Sequence, residues 1–220
     1  MKHACLAWWV SCALCVGGVL ASTPDGAMIA QQGNGHSAAP CMACHGMDGG
    51  GQAAAGFPRL AGLPEAYLRK QLEDFADGSR DNATMLPVVG ALTDAERDAV
   101  VVYYSKLPVP VPASTEPLKE SSAQVGQALA ARGRWSDRLP ACEQCHGPGG
   151  MGVGDHFPPL SGQSSVYLSN ELHAWKQGAR HNDPLQLMQS VASKLSDDDI
   201  AAISAWYATQ PVAPGKEQQP

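Results

Sequence analysis

The sequence is poor in aromatic and in charged residues. Phe, Tyr and Trp together make up 6% of its 220 residues, and charged residues make up 16%. It has no run of Lys or Arg, and its formal net charge is −6, so it lacks the basic surface that a nucleic-acid-binding protein needs. Its hydrophobic content of 44% is nevertheless typical of a folded globular protein. The length allows two domains, but the chain offers little aromatic material for two cores.

The seven cysteines fall into two sets. Three lie within the first 15 residues, where Lys2 and His3 precede an apolar run that ends in Val19-Leu20-Ala21. A short basic start, an apolar run and small residues before a cleavage point are typical of a secretory signal peptide. We therefore predict that residues 1–21 are a cleaved export signal. An uncleaved membrane anchor or a lipoprotein is a weaker interpretation, because the flanking residues fit neither well.

The other four cysteines form two identical motifs, Cys41-Met42-Ala43-Cys44-His45 and Cys142-Glu143-Gln144-Cys145-His146. This Cys-x-x-Cys-His pattern is typical of covalent attachment of c-type haem. Each of the two thiols can add to a vinyl group of one porphyrin, and the next residue can place its imidazole on the iron. The alternatives are a redox disulfide, which does not need the histidine, and a zinc site built from both motifs. The motifs predict two covalently bound haem c groups.

The two motifs belong to an internal repeat that spans almost the whole chain. Residues 57–62, Phe-Pro-Arg-Leu-Ala-Gly, recur 100 positions later as Phe-Pro-Pro-Leu-Ser-Gly, and near the C-terminus the offset becomes 103. Self-similarity at a fixed offset indicates two copies of one folding unit. We predict an N-terminal domain at 22–107 and a C-terminal domain at 121–211. A Pro-rich, extended linker is predicted at 108–120, and a polar tail at 212–220.

The apolar pattern within each unit is helical. Leu68, Leu72 and Phe75 fall at i, i+4 and i+7, and the second unit repeats this spacing 100 residues later. Thr93 and Ser196 are each followed three positions on by an acidic residue, which predicts a capping box at the start of the last helix. No segment shows convincing strand alternation. The fold class predicted from these patterns is all-α, as a tandem repeat.

Two methionines are the candidates for the second axial ligand of each iron. Met85 and Met188 lie seven residues before equivalent leucines of the two units, and no other methionine pair is related in this way. A thioether ligand opposite the proximal histidine would close the site and give an electron carrier with a raised potential. The alternatives are a gap-filling role for these methionines and ligation by a histidine. The histidines available for that are His36, His156, His173 and His181, none of which has a counterpart in the other unit.

Further residues are expected to support the haem sites. A proximal imidazole usually donates its second N–H to a fixed acceptor, and the backbone carbonyls of Pro58 and Pro158 are placed plausibly for this role. The alternative is that each is a simple turn proline. Arg80 and Arg180 either pair with haem propionates or are solvated cations at a helix end.

The combined motifs resemble those of the cytochrome c4 family over nearly the entire chain after residue 21. The shared features are the doubled Cys-x-x-Cys-His-Gly, Phe-Pro-x-Leu-x-Gly, the Tyr-Leu helix ending in Gly-x-Arg, and Met-x6-Leu before the last helix. The resemblance implies two class I cytochrome c domains in a periplasmic protein. It also implies haem binding at two sets of residues: Cys41, Cys44, His45 and Met85; Cys142, Cys145, His146 and Met188.

The function implied by the resemblance is electron transfer rather than enzymatic catalysis. The expected route runs from a quinol-cytochrome c reductase toward a terminal cytochrome oxidase, and the sequence leaves peripheral membrane association open. One alternative is the electron-accepting cytochrome subunit of a periplasmic dehydrogenase. Another is a di-haem peroxidase, which would need one open or weakly held iron and is disfavoured by a candidate methionine in each unit.

Overall fold

The computed structural model describes residues 23–110 and 117–212. The predicted signal peptide lies outside the described residues. So do the middle of the predicted linker, at 111–116, and the predicted tail from 213 onward. We call residues 23–110 the N-terminal unit and residues 117–212 the C-terminal unit.

The described residues form ten α-helices, five in each unit. In the N-terminal unit they are α1 (Gly26–Gln32), α2 (Met42–His45), α3 (Glu65–Asp77), α4 (Met85–Gly90) and α5 (Asp94–Lys106). In the C-terminal unit they are α6 (Glu120–Ala131), α7 (Glu143–His146), α8 (Ser165–Gln177), α9 (Leu187–Ala192) and α10 (Asp197–Ala208). The only β-pairing in these ranges consists of isolated bridges, so the predicted all-α class is confirmed. Across the same ranges, no helix combines the length and the apolar character required to span a bilayer.

The long helices begin and end where local chemistry requires. Thr93 and Ser196 accept the backbone N–H of Glu96 and Asp199, and each acidic side chain accepts the backbone N–H of its cap residue, so both predicted capping boxes are confirmed. Helix α3 ends at Gly78 and helix α8 ends at Gly178, and both glycines have a left-handed backbone conformation. A residue without a Cβ adopts that conformation without strain.

In each unit the first and last long helices cross at a glycine. A Cβ on Gly26 would lie 2.0 Å from the backbone oxygen of Ala99 in α5. A Cβ on Gly126 would lie 2.5 Å from the Cβ of Trp206 in α10. Because only glycine permits this close approach, α1 packs directly on α5 and α6 on α10.

The two units are joined by a buried ionic network. The Glu171 carboxylate accepts from Arg80 Nη2 at 2.8 Å and from Arg180 Nη1 at 2.5 Å. Gln71 Oε1 accepts from both guanidinium groups, at 3.0 Å from Arg80 and 2.8 Å from Arg180. Burial opposes ionisation of Glu171, but the two arginines outweigh it and hold its pKa below the ordinary value. One carboxylate therefore ties together cations from both units.

A second contact between the units is made through backbone groups. Gln163 Oε1 accepts from the backbone N–H of Arg59 at 2.9 Å, and Gln163 Nε2 donates to the backbone oxygen of Arg59 at 3.0 Å. Ser164 Oγ donates to the backbone oxygen of Ala53 at 3.2 Å. The polypeptide that follows the first haem motif is thus held directly by the C-terminal unit.

The shared carboxylate yields a prediction for stability. Glu171→Gln should lower the free energy of unfolding by about 3 kcal/mol at neutral pH, because two buried guanidinium groups then lack an anion. The folded pKa of Glu171 is depressed, so its contribution is present above its unfolded pKa and is lost as pH falls through the folded one. The difference between wild type and variant should therefore shrink in acid. Urea unfolding followed by far-UV circular dichroism measures it.

Glu73→Gln is the matched control, since Glu73 is exposed on α3. It should change stability by less than about 0.5 kcal/mol. Equal losses in the two variants, or a difference that stays constant into acid, would contradict the assigned role of Glu171.

Candidate functional site

Each unit contains one large cavity between its helices. The N-terminal cavity has a volume of about 360 Å³ and the C-terminal cavity about 320 Å³. The predicted ligands of the first haem that line the N-terminal cavity are Cys41, Cys44, His45 and Met85. Those of the second haem that line the C-terminal cavity are Cys142, Cys145, His146 and Met188. The fold therefore brings together all four candidates of each set, although Met85 is 40 or more residues from its motif.

In each motif the first cysteine lies just before a short helix and the second is the third residue of that helix. Cys41 and Cys142 immediately precede α2 and α7, so in each motif the two thiols lie on one face, three residues apart. None of the four is in a disulfide. Burial raises the pKa of Cys41, and it raises that of Cys142 to about 11. The two motifs line separate cavities, which argues against one zinc site built from both.

The motif histidines are oriented by backbone carbonyls, as the sequence predicted. The Nδ1 atom of His45 lies 3.0 Å from the backbone oxygen of Pro58, and that of His146 lies 2.8 Å from the backbone oxygen of Pro158. Burial lowers the pKa of both imidazoles and so favours their neutral form. When the Nδ1 N–H donates a hydrogen bond to the carbonyl, Nε2 carries the lone pair that a metal ligand needs.

The candidate methionines are held by different local structures. Met85 is the first residue of α4, and its backbone N–H donates to Asn82 Oδ1 at 2.9 Å. The C-terminal unit has three more residues between its arginine and Met188, and these form a short turn at Pro184–Gln186. In this turn Leu185 and Gln186 have positive φ values of 59° and 56°. A left-handed conformation is uncommon in residues that carry a Cβ.

The alternative histidine ligands are mostly excluded by their positions. His36, His173 and His181 do not line either cavity. His173 instead lies on α8, with Nδ1 3.0 Å from the backbone oxygen of Ser169. His156 does line the C-terminal cavity, but it lies two residues before Pro158 and therefore on the side of the proximal His146.

The expectation that Arg80 and Arg180 are solvated helix-end cations is wrong. Their relative exposures are 6% and 7%, and each lines the cavity of its own unit. Each guanidinium also packs on an aromatic ring, Arg80 at 4.4 Å from the centroid of Phe75 and Arg180 at 4.3 Å from that of Trp175. The carboxylate of Glu171, which sequence reasoning did not identify, explains why both can be buried. Pairing of these arginines with haem propionates stays a prediction.

The two cavities share a wall. Five side chains line both of them: Leu63, Tyr67, Gln71, Tyr167 and Glu171. Three come from the N-terminal unit and two from the C-terminal unit. The repeat offered one sign of this wall in the sequence. Gln71 aligns with Glu171, so two otherwise similar helices differ at this polar position.

The lining is suited to a porphyrin. Aliphatic side chains of three helices and the rings of Phe57 and Tyr104 surround the N-terminal cavity, and the C-terminal cavity is built in the same way. An apolar cleft with two free thiols, a neutral imidazole and a thioether fits the peripheral groups and the iron of haem c. The chemistry of the donor set therefore agrees with the cofactor that the motifs predicted.

Comparisons with known proteins agree with this geometry. The Cytochrome c family model matches residues 30–108 and again residues 123–210. A thiosulfate dehydrogenase electron acceptor of Stutzerimonas stutzeri (strain A1501) is 48% identical over 189 residues, covering 86% of this chain and 87% of the relative. A cytochrome c4 of Pseudomonas aeruginosa is 39% identical over 171 residues, covering 77% of this chain and 83% of the relative.

A solved structure extends the similarity to the fold. The thiosulfate dehydrogenase (TsdBA) of Marichromatium purpuratum superposes with a TM-score of 0.79 and 41% sequence identity, covering 89% of this chain. This chain spans only 43% of that protein. The chain thus belongs to the cytochrome c4 family: it is a di-haem electron carrier of two class I cytochrome c units, and its cofactors are two covalently bound haem c groups.

Proposed function

We propose that the cysteines, histidine and methionine lining each cavity hold one haem c. In the N-terminal cavity the thioether bonds form at Cys41 and Cys44, and His45 and Met85 bind the iron. In the C-terminal cavity the corresponding residues are Cys142, Cys145, His146 and Met188. What supports this assignment is that each set lines a single apolar cavity although its members are far apart in sequence.

The chain's own groups fix the redox behaviour of these sites. When bound, the haem supplies a one-electron Fe(III)/Fe(II) couple. The carbonyls of Pro58 and Pro158 hold the imidazoles in one tautomer, and a thioether on the other side favours a high potential. With His45 and Met85, or His146 and Met188, both bound to the iron, each site would suit electron transfer rather than peroxide chemistry.

The electron donor that we propose is a thiosulfate-oxidising dehydrogenase. The observation that carries this proposal is the 48% identity to a thiosulfate dehydrogenase electron acceptor over 86% of this chain. The Marichromatium purpuratum structure supports it, because an acceptor-like unit there occupies part of a longer thiosulfate dehydrogenase chain. The donor of this chain is then a separate catalytic protein, and the chain is the electron-accepting partner of an enzyme.

The C-terminal unit offers the surface on which such a donor can dock. The turn that precedes Met188 presents Leu185, which is 91% exposed. Apolar side chains at the centre of an interface supply much of the binding energy of transient complexes. An electron that enters here crosses to the other unit through the shared wall of the two cavities.

A second route is favoured by the similarity to cytochrome c4 of Pseudomonas aeruginosa. In this alternative the chain takes electrons from a quinol-cytochrome c reductase and passes them toward a terminal oxidase. Both routes place the protein in the periplasm, which agrees with the export signal predicted at residues 1–21.

The donor can be tested by stopped-flow reduction of the oxidised protein. The donor would be the catalytic thiosulfate dehydrogenase of Stutzerimonas stutzeri A1501, supplied with thiosulfate. It should reduce both haems of this protein at least about tenfold faster than it reduces the cytochrome c4 of Pseudomonas aeruginosa. A tenfold difference in rate corresponds to about 1.4 kcal/mol in the barrier. Faster reduction by a quinol-cytochrome c reductase than by the dehydrogenase would favour the second route instead.

The docking surface has its own variant and control. Leu185→Ser should slow reduction by the dehydrogenase about tenfold by removing an apolar contact worth ~1.4 kcal/mol or more. Met47→Ser is matched to it, because Met47 is 82% exposed but lies in the N-terminal unit. Similar rates in the two variants would show that the donor docks elsewhere.

The axial ligands can be tested by redox titration with near-infrared spectra. Met85→Ala and Met188→Ala should each remove the methionine-to-iron band of one haem and lower its potential by about 59 mV or more, a tenfold change for one electron. The exposed Met47→Ala is the control and should leave both potentials unchanged. A band that survives substitution would mean that the ligand at that iron was assigned wrongly.

Covalent attachment can be tested by mass spectrometry of the exported protein. The double variant Cys41→Ser/Cys44→Ser should carry one haem per chain, attached at the C-terminal unit, because only one thioether pair remains. The converse double variant at Cys142 and Cys145 should carry its haem at the N-terminal unit. Two haems in either protein would contradict the assignment.

A further inference from the structure

The segment before the second haem motif, residues 132–138, places a tryptophan on the surface. Trp135 is 66% exposed. Among residues 23–110 and 117–212 the other two tryptophans differ from it, since Trp175 is 6% exposed and Trp206 is partly buried. Tryptophan is highly buried on average, because its ring is large and mostly apolar. We call residues 132–138 the Trp135 loop. Internal packing does not account for the position of its indole ring.

The Trp135 loop is basic, although the chain as a whole is acidic. It carries three arginines and one aspartate, a net charge of +2, whereas the formal net charge of the whole chain is −6. Arg134 is paired with two aspartates. Arg132 and Arg138 are exposed, and within the described ranges neither forms an ion pair. The loop thus offers two uncompensated cations, each three residues from an exposed indole ring.

Hydrogen bonds hold the Trp135 loop in one shape. Arg134 and Leu139 exchange two backbone hydrogen bonds, of 2.8 and 3.1 Å, and these close the base of a tight turn. Arg134 Nη2 lies 2.7 Å from Asp199 Oδ2 on α10, and Lys194 Nζ donates to the backbone oxygen of Arg138 at 2.9 Å. A surface that is ordered before binding loses less conformational entropy when a partner arrives. The loop is therefore preorganised for contact.

The Trp135 loop leads directly into the wall of the C-terminal cavity. Leu139, Pro140 and Ala141 follow it, and they line that cavity together with Cys142. The chain from Trp135 to Leu139 would span at most about 14 Å if it were extended, and the turn makes the separation shorter. A protein that covers the indole ring therefore lies close to the haem site of the C-terminal unit.

The N-terminal unit has no equivalent of the Trp135 loop. The segment between Gly33 and the first haem motif is one residue shorter than the segment between Gly133 and the second motif. The shorter segment contains no Lys, Arg or Trp, and Gln32 is the counterpart of Arg132. Both units have the same helices and the same kind of cavity, so the fold does not require these residues. The basic, aromatic loop is a feature of one unit only.

We propose that the Trp135 loop is a docking site for a redox protein with an acidic surface, which exchanges electrons with the haem of the C-terminal unit. Tryptophan and arginine are among the residues most enriched at the energetic centres of protein interfaces. The arginines attract an acidic surface to this loop, whereas the acidic remainder of the chain repels it, so the partner is oriented as well as attracted. The inference rests on the proposed haem attachment at Cys142 and Cys145, and it applies to either of the two electron donors proposed above.

The test is stopped-flow reduction of the oxidised protein by the dehydrogenase with thiosulfate and by a quinol-cytochrome c reductase. The partner that reduces the wild type faster serves as the probe. At about 10 mM ionic strength Arg132→Gln/Arg138→Gln should lower the second-order rate constant about tenfold, because both unpaired cations are removed. At about 0.5 M the loss should shrink to less than about twofold, because salt screens exposed charges. Trp135→Ser should slow the reaction about tenfold at both ionic strengths, because an apolar contact is not screened.

Two control variants are matched to these substitutions. Lys106→Gln/Lys119→Gln removes the same net charge from exposed positions, and Lys119 lies at the opposite end of α6 from Arg132. Met28→Ser replaces a residue of α1 that is 56% exposed. Both controls should keep the rate constant within about twofold of wild type, because distant exposed charges are largely screened. Redox titration of every variant should give unchanged potentials, so that a slower reaction reports docking rather than driving force.

Three results would overturn the docking site. The first is a rate constant in both loop variants that equals that of the controls. The second is an equal loss in the double-lysine control, because net charge rather than the loop would then govern the reaction. The third is binding to phosphatidylglycerol vesicles that Trp135→Ser abolishes while reduction rates stay unchanged, which would assign the loop to a lipid surface. Faster reduction by the reductase than by the dehydrogenase contradicts only the proposed donor, and the loop variants are then judged with the reductase.

Discussion

Each unit is folded around a cavity that its own side chains do not fill, and this constraint accounts for the rest of the architecture. Aliphatic residues of α3, α4 and α5 form one side of the N-terminal cavity, and the haem motif forms another. The scarcity of aromatic residues is consistent with this arrangement, because a porphyrin supplies a large apolar body at the centre of each unit. The glycine crossings let the first and last helices of each unit pack directly together, and the capping boxes fix where the last helices begin.

Duplication made the two cavities alike, and a few substitutions made their electrostatics different. Both units retain the arginine that follows the long helix, and the carboxylate of Glu171 pairs with both of these arginines, whereas its counterpart in the other unit is the neutral Gln71. Arg59 lines the N-terminal cavity, and its counterpart in the C-terminal unit is the uncharged Pro159. In a low-dielectric interface such single charges have large effects. Two haem sites of the same origin can therefore differ in their electrostatic surroundings.

The proposed role as an electron acceptor follows from combining these sites with the comparisons. A shared wall of five side chains brings the two cofactor sites close together, and an exposed apolar residue, Leu185, lies in the turn before Met188 at one of them. A donor that docks at the C-terminal unit would load that haem first. The electron would then pass through the shared wall to the N-terminal haem.

The sequence by itself determined the cofactor, the repeat and the helical class, because covalent attachment and capping depend on residues close together in the chain. It also predicted both ligand sets, and these stay a proposal. It also indicated the carbonyls of Pro58 and Pro158, whose distance from the motif is the same in both units. It did not determine whether the arginines are buried or which groups they pair with. Arg80 and Arg180 looked like solvated helix ends as readily as haem partners, and Arg59 was one variable position in a motif. Only the tertiary structure decided these roles, because the burial of a charge and the presence of a counter-charge depend on contacts between units about 100 residues apart.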